Sequence, residues 1–105
     1  MENYILALTT CPPDKAEDLA RILVDGRFCA CVNIVSGVRS IYHWKDKVET
    51  DTESILLIKT EKRLQDRLWD AIRDNHPYEV PEFVVIPIQG GSKAYLEWIS
   101  TSTAN

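Results

Sequence analysis

His76 stands where the chain carries an imidazole, a proline that fixes its position, and two carboxylates, Glu79 and Glu82, in the residues that follow. Imidazole is a good ligand for copper or zinc, so His76 with Glu82 forms a candidate cation site. A structural role competes with this one. An imidazole at a helix C-terminus suits the macrodipole and the last carbonyls, leaving Tyr78 and the prolines to fix the loop. Cys11, just before Pro12-Pro13, is a third candidate ligand, because a soft thiolate suits Cu(I) better than a carboxylate does. A free cysteine also behaves as a small hydrophobe, and packing alone would account for it. Cys29 and Cys31 form a C-x-C pair whose sulfurs would share one face of a strand. No second C-x-C or C-x-x-C completes a four-ligand set, and core packing explains the pair as well.

Other groups carry weaker chemistry. A thiol of Cys11 or Cys31 with His76 as base would be a nucleophile pair. Yet the chain has no nucleophile elbow, Walker loop, GxGxxG or HExxH, and we read it as a non-enzyme that needs no organic cofactor. Arg39, Lys59 and Lys93 could line an anion site near Gly90-Gly91, although Gly-Gly before a capping Ser is also plain helix entry. Tyr42, Trp44 and Trp98 are large apolar groups, two of them on a long hairpin, and are expected at a subunit interface. His43, between Tyr42 and Trp44, should face the other way.

Size and charge narrow the partners. A chain of 105 residues is expected to form one domain over 1–105, small enough for oligomer contacts to matter. With 45% hydrophobic and 27% charged residues it reads as a folded, soluble chain. A net charge of -4 without a basic run argues against nucleic acid. Met1-Glu2-Asn3-Tyr4 opens acidic and polar, and the apolar run after it is short for a signal or a span, so a cytoplasmic protein without a membrane partner is expected. Three cysteines cannot all pair in one chain, and free thiols fit that compartment.

The elements that must position these groups follow from periodicity. Tyr4 to Leu8 reads as a buried strand. Ala16, Leu19, Ala20 and Leu23 predict a helix over 13–25, with Gly26 as its left-handed cap. Cys29 to Trp44 reads as a long strand in which Val32, Ile34, Val38, Tyr42 and Trp44 share one parity, with a bend or bulge at Gly37. The segment 45–51 should turn the chain, and 54–59 should return as a strand. Thr60 is expected to cap a helix over 61–75, stopped by Pro77. Residues 83–88 read as a strand whose Pro87, unable to donate to a ladder, should end it at an edge or a bulge. Gly90-Gly91-Ser92 leads into a last helix that turns Tyr95, Leu96 and Ile99 inward. The order β-α-β-β-α-β-α is an α+β, ferredoxin-like split βαβ: an antiparallel sheet with helices on one face and one helix added.

Several stretches resemble the CutA divalent-cation tolerance family: Thr10 to Pro13, Ala30-Cys31-Val32-Asn33-Ile34, Ser40-Ile41-Tyr42-His43-Trp44, Lys59-Thr60, His76-Pro77-Tyr78-Glu79-Val80-Pro81-Glu82 and Tyr95-Leu96-Glu97-Trp98. The His-Pro-Tyr-Glu-x-Pro-Glu run is the most specific. The resemblance implies a ferredoxin-like protomer in a tight homotrimer shaped like PII signalling proteins, and a link to tolerance of divalent cations, notably copper. The alternative is a PII-like trimeric sensor or scaffold without a physiological metal. One departure is at the hairpin tip, where the family usually places a Gly two residues after the Trp and this chain has Asp46.

Overall fold

The computed structural model describes residues 3–104, so the acidic start at Met1 and Glu2 lies outside the described residues. The elements are β1 (Tyr4–Cys11), α1 (Ala16–Asp25), β2 (Cys31–Trp44), β3 (Lys47–Glu61), α2 (Gln65–Asn75), β4 (Val84–Pro87) and α3 (Lys93–Thr103). All pairings are antiparallel and the sheet order is β2-β3-β1-β4, the α+β ferredoxin-like arrangement. β4 is an edge strand, which accommodates Pro87.

Strand β1 continues past Leu8 to Cys11 because its ladder with β3 extends to Cys11 opposite Ser54, and that pairing outweighs the turn tendency of Thr-Thr-Cys. Ile5, Ala7, Thr9 and Cys11 alternate into the core, where they meet Leu56 and Ile58 of β3. Leu19 and Leu23 of α1 and Leu68 and Ile72 of α2 close this face of the sheet.

Local chemistry sets several boundaries differently from expectation. Residues Pro13–Lys15 form a 3-10 turn before α1. Gly26 is not the left-handed residue; its φ is -80°, and Arg27 at 58° takes that role. Glycine is required at 26 for space, since a Cβ there would lie 2.3 Å from Cε2 of Phe28. Thr60 does not cap α2. It stays in β3 and donates to the Phe28 carbonyl at 2.9 Å, while a 3-10 turn over Lys62–Leu64 leads into the helix. Ser92 does cap α3, accepting from the Tyr95 amide at 3.1 Å. Ile99 is buried, but Tyr95 is exposed and its ring lies tilted against Trp98 instead of turning inward. Helix α3 docks on Glu61, whose carboxylate accepts from Ser100 and Thr103.

The hairpin is tighter and longer than the polar stretch 45–51 implies. Its turn is two residues, Lys45 and Asp46, with φ of 51° and 65°, and β3 begins at Lys47. Two consecutive positive φ values define the type I′ turn, whose twist matches the flanking strands. At Gly37, φ is 73°. There the register slips: Val35 pairs with Ile55 but Val38 with Glu53, so Ser36 and Gly37 together oppose Ser54. Opposed residues share a face, so Val32 and Ile34 side with Ile58 and Leu56, whereas Val38, Tyr42 and Trp44 side with Glu53, Glu49 and Lys47. The common parity of these five apolar residues therefore does not make a common face.

Asp46 holds the left-handed position that a glycine occupies without steric penalty. Asp46→Gly should raise the unfolding free energy by about 1 kcal/mol. Urea denaturation monitored by tryptophan fluorescence measures this, and an unchanged or lower midpoint would show that the turn stores no strain.

Candidate functional site

Loop 76–82 leaves α2, crosses the end of β1 and faces the outer half of the β2–β3 hairpin. His76 starts it in an extended conformation (φ -99°, ψ 138°), the backbone state that the following Pro77 favours. Its Nε2 lies 2.7 Å from the Thr10 carbonyl, and its Nδ1 accepts from the Tyr78 amide at 3.1 Å. A carbonyl only accepts, so Nε2 carries the proton and the tautomer is fixed. Both ring nitrogens are thus engaged with backbone, tying the loop to the end of β1.

Tyr78 extends the chain of contacts. Its hydroxyl donates to Oε2 of Glu53 at 2.7 Å, and its ring tilts over His76 with centroids 4.8 Å apart. Burial, and then the bond to Glu53, push the Tyr78 phenol well above its usual range. Glu53 is 6% exposed, an unusual degree of burial for a carboxylate. Across the strand, Tyr42 donates to Asp51, and that bond raises its phenol to about 12. Loop and hairpin enclose an open cavity of about 860 Å³. Tyr42, Trp44 and Tyr78 supply its aromatic walls, and Asp51, Glu53, Glu79 and Glu82 supply carboxylates.

The sequence-derived ligands separate in this geometry. Cys11 is fully buried in the core, and burial, with Glu53 and Asp14 nearby, raises its thiol. Cys29 is also buried and pushed up to about 12 by burial first. Neither is a thiolate near neutral pH, which is the form that binds soft metals or attacks. Glu82 is exposed on the cavity rim. His76, Cys11 and Glu82 do not converge on one point, and among the described residues no three His, Cys, Asp or Glu side chains are placed to hold a metal ion. The anion trio separates as well. Arg39 pairs with Thr52 and Lys59 with Cys31, about 23 Å apart along β3 at the usual rise per residue. Of the three aromatics expected at an interface, Tyr42 and Trp44 line the cavity while Trp98 lies on α3 beside Tyr95.

Glu53 and Asp51 were not singled out by sequence reasoning. The available signal was Glu49, Asp51 and Glu53 at alternate positions, a spacing that in a strand puts three carboxylates on one face.

The family model for CutA1 divalent ion tolerance protein matches residues 5–102. The chain belongs to that family. The chloroplastic CutA of Arabidopsis thaliana is 44% identical over 102 residues, covering 96% of this chain and 56% of its own length. The chain thus spans little more than half of that plant relative. The divalent-cation tolerance protein CutA of Thermus thermophilus is 41% identical over 103 residues and is covered over 99% of its length, with 98% of this chain. Among solved structures, the PII-like protein CutA from Nostoc sp. PCC 7120 in apo form superposes with a TM-score of 0.90 at 38% identity, covering 95% of this chain and 97% of that one. The CutA fold, with its PII-like architecture, is therefore the scaffold that carries the loop and hairpin.

The His76 ring contributes two hydrogen bonds to partly buried backbone groups. His76→Ala should lower stability by about 1–3 kcal/mol, the penalty for leaving such groups unpaired. Chemical denaturation gives the value, and a midpoint equal to wild type would remove the structural role of the imidazole.

Proposed function

We propose that this chain acts as a cytoplasmic homotrimer in divalent-cation tolerance, with copper as the foremost cation and no catalytic step of its own. One observation carries the assembly. Leu6, Leu8, Ile55, Leu57, Val84 and Ile86 share the sheet face turned away from α1 and α2, and are half-buried or exposed in the single chain. Apolar area of this extent is stabilised by removal from water at about 25 cal/mol per Å². The trimer is the assembly that family resemblance implies, and it would also cover Trp98 and the outer surfaces of Tyr42 and Trp44, which are 38–44% exposed. Three free thiols support a reducing compartment.

The cation response does not require His76, Cys11 and Glu82 as a resting ligand set. To ligate, the imidazole would have to leave both Thr10 and Tyr78. A second reading, a PII-like sensor, is favoured by the cavity between hairpin and loop, whose size suits a small molecule.

Sedimentation equilibrium at micromolar concentration should give three times the chain mass, and Leu57→Glu, which puts a charge on the uncovered face, should dissociate it. A monomeric wild type would refute the assembly. Calorimetric copper titrations of wild type and His76→Ala should give the same stoichiometry; a folded trimeric mutant that loses a stoichiometric site would make His76 a ligand after all.

A further inference from the structure

We propose that the cavity between the β2–β3 hairpin and loop 76–82 binds a small organic cation of the alkylammonium type. The inference rests on the sensor reading and shares its site, whose lining residues all come from one chain. Two independent features converge on that chemistry. The first is the wall: Tyr42, Trp44 and Tyr78 surround a cavity of about 860 Å³, within the range of small-molecule sites. Aromatic faces attract ammonium groups through the negative side of the ring quadrupole, and an aromatic cage is how such groups are commonly held. The second is Glu53. It is 6% exposed, it lines the cavity, and Oε2 receives the Tyr78 hydroxyl. Among the described residues its other oxygen receives no hydrogen bond and no basic side chain pairs with it; no buried side-chain oxygen there lacks a partner, so this oxygen still reaches the solvent of the cavity, where a ligand can meet it. A carboxylate taken this far out of water is stabilised by a cation brought to it.

The remaining lining agrees. Asp51 lies two residues from Glu53 on the same strand face, about 7 Å away at the rise of a strand. Tyr42 donates to Asp51 as Tyr78 does to Glu53, so each phenol orients a carboxylate and leaves its second oxygen for a ligand. No Lys or Arg lines the cavity, and the basic side chain on its wall is His43, which strand alternation is expected to turn away. Lys45 stands over the Trp44 ring, 5.6 Å from its centre, outside the lining. A metal ion fits poorly, since no three ligating side chains among the described residues converge to hold one. An ammonium group needs no such convergence: one charged acceptor and an aromatic face suffice.

The test is calorimetry on the full chain with butylammonium and tetramethylammonium chloride, against sodium, magnesium and sodium acetate at matched ionic strength. Saturable binding of an alkylammonium ion, with weaker or no response to the controls, is expected. Glu53→Gln keeps an acceptor for Tyr78 while removing the charge, and should weaken binding at least about tenfold, as loss of one charge-assisted contact predicts. Asp51→Asn, at an exposed position, guards against a misfolded Glu53 variant and should weaken binding in the same direction. Sedimentation run alongside separates the two readings: a trimer that binds amine supports both, and a monomer that binds amine overturns only the assembly. The proposal is overturned if no saturable heat appears by about 10 mM, well past useful affinity. It is overturned equally if folded Glu53→Gln and Asp51→Asn bind like wild type, or if magnesium binds as well as the amine. Binding by monomeric Leu57→Glu but not by the trimer would also overturn it, because a neighbouring copy would then fill the cavity.

Discussion

An extra residue in β2, opposite Ser54, turns the outer half of the hairpin over relative to its inner half. Without it, Tyr42 and Trp44 would sit on the side of Val32 and Ile34, the face that α1 and α2 cover, and Asp51 and Glu53 would have no aromatic neighbours across the ladder. Gly37 makes the slip possible, because its φ of 73° is open to glycine and strained for most other residues. A Cβ there would meet nothing within 4 Å, so backbone conformation rather than crowding selects the residue. The bulge divides the sheet into an inner part that builds the core and an outer part that builds the site.

The loop depends on a relay that begins with the imidazole. Thr10 carbonyl, His76, the Tyr78 amide, the Tyr78 hydroxyl and Glu53 form one connected path from the end of β1 to the base of the hairpin. Each link satisfies a polar group that partial burial would otherwise leave unpaired. The path also changes how a histidine next to carboxylates should be read. An imidazole whose two nitrogens both face backbone is a bracket, and its release would loosen the loop that holds Tyr78 on Glu53.

The helices cover the two faces of the four-stranded sheet unequally, with α3 docked only at the Tyr4–Glu61 end of the second. Helices α1 and α2 take one face, and the other keeps a band of Leu, Ile and Val half exposed. That band and the aromatic, acidic cavity are chemically different surfaces on one fold.

The order of elements, both helical faces, the edge position of Pro87, the Ser92 cap and the bulge at Gly37 were all legible in the sequence, because each rests on local stereochemistry or on a repeat of side-chain type within one element. Family membership was legible too, through the run from His76 to Glu82. The start of β3 at Lys47 and the retention of Thr60 in the ladder were not, since cross-strand hydrogen bonds from distant residues overrode polar local composition. The same holds at the site. The sequence offered an imidazole with carboxylates close by and thiols elsewhere along the chain, but only the tertiary structure decided that His76 is saturated by Thr10 and Tyr78, that Cys11 is sealed in the core, and that Glu53 is the buried carboxyl group. Which partner each polar group finds is a property of the assembled neighbourhood, because the groups that satisfy it come from strands and loops far apart in the chain.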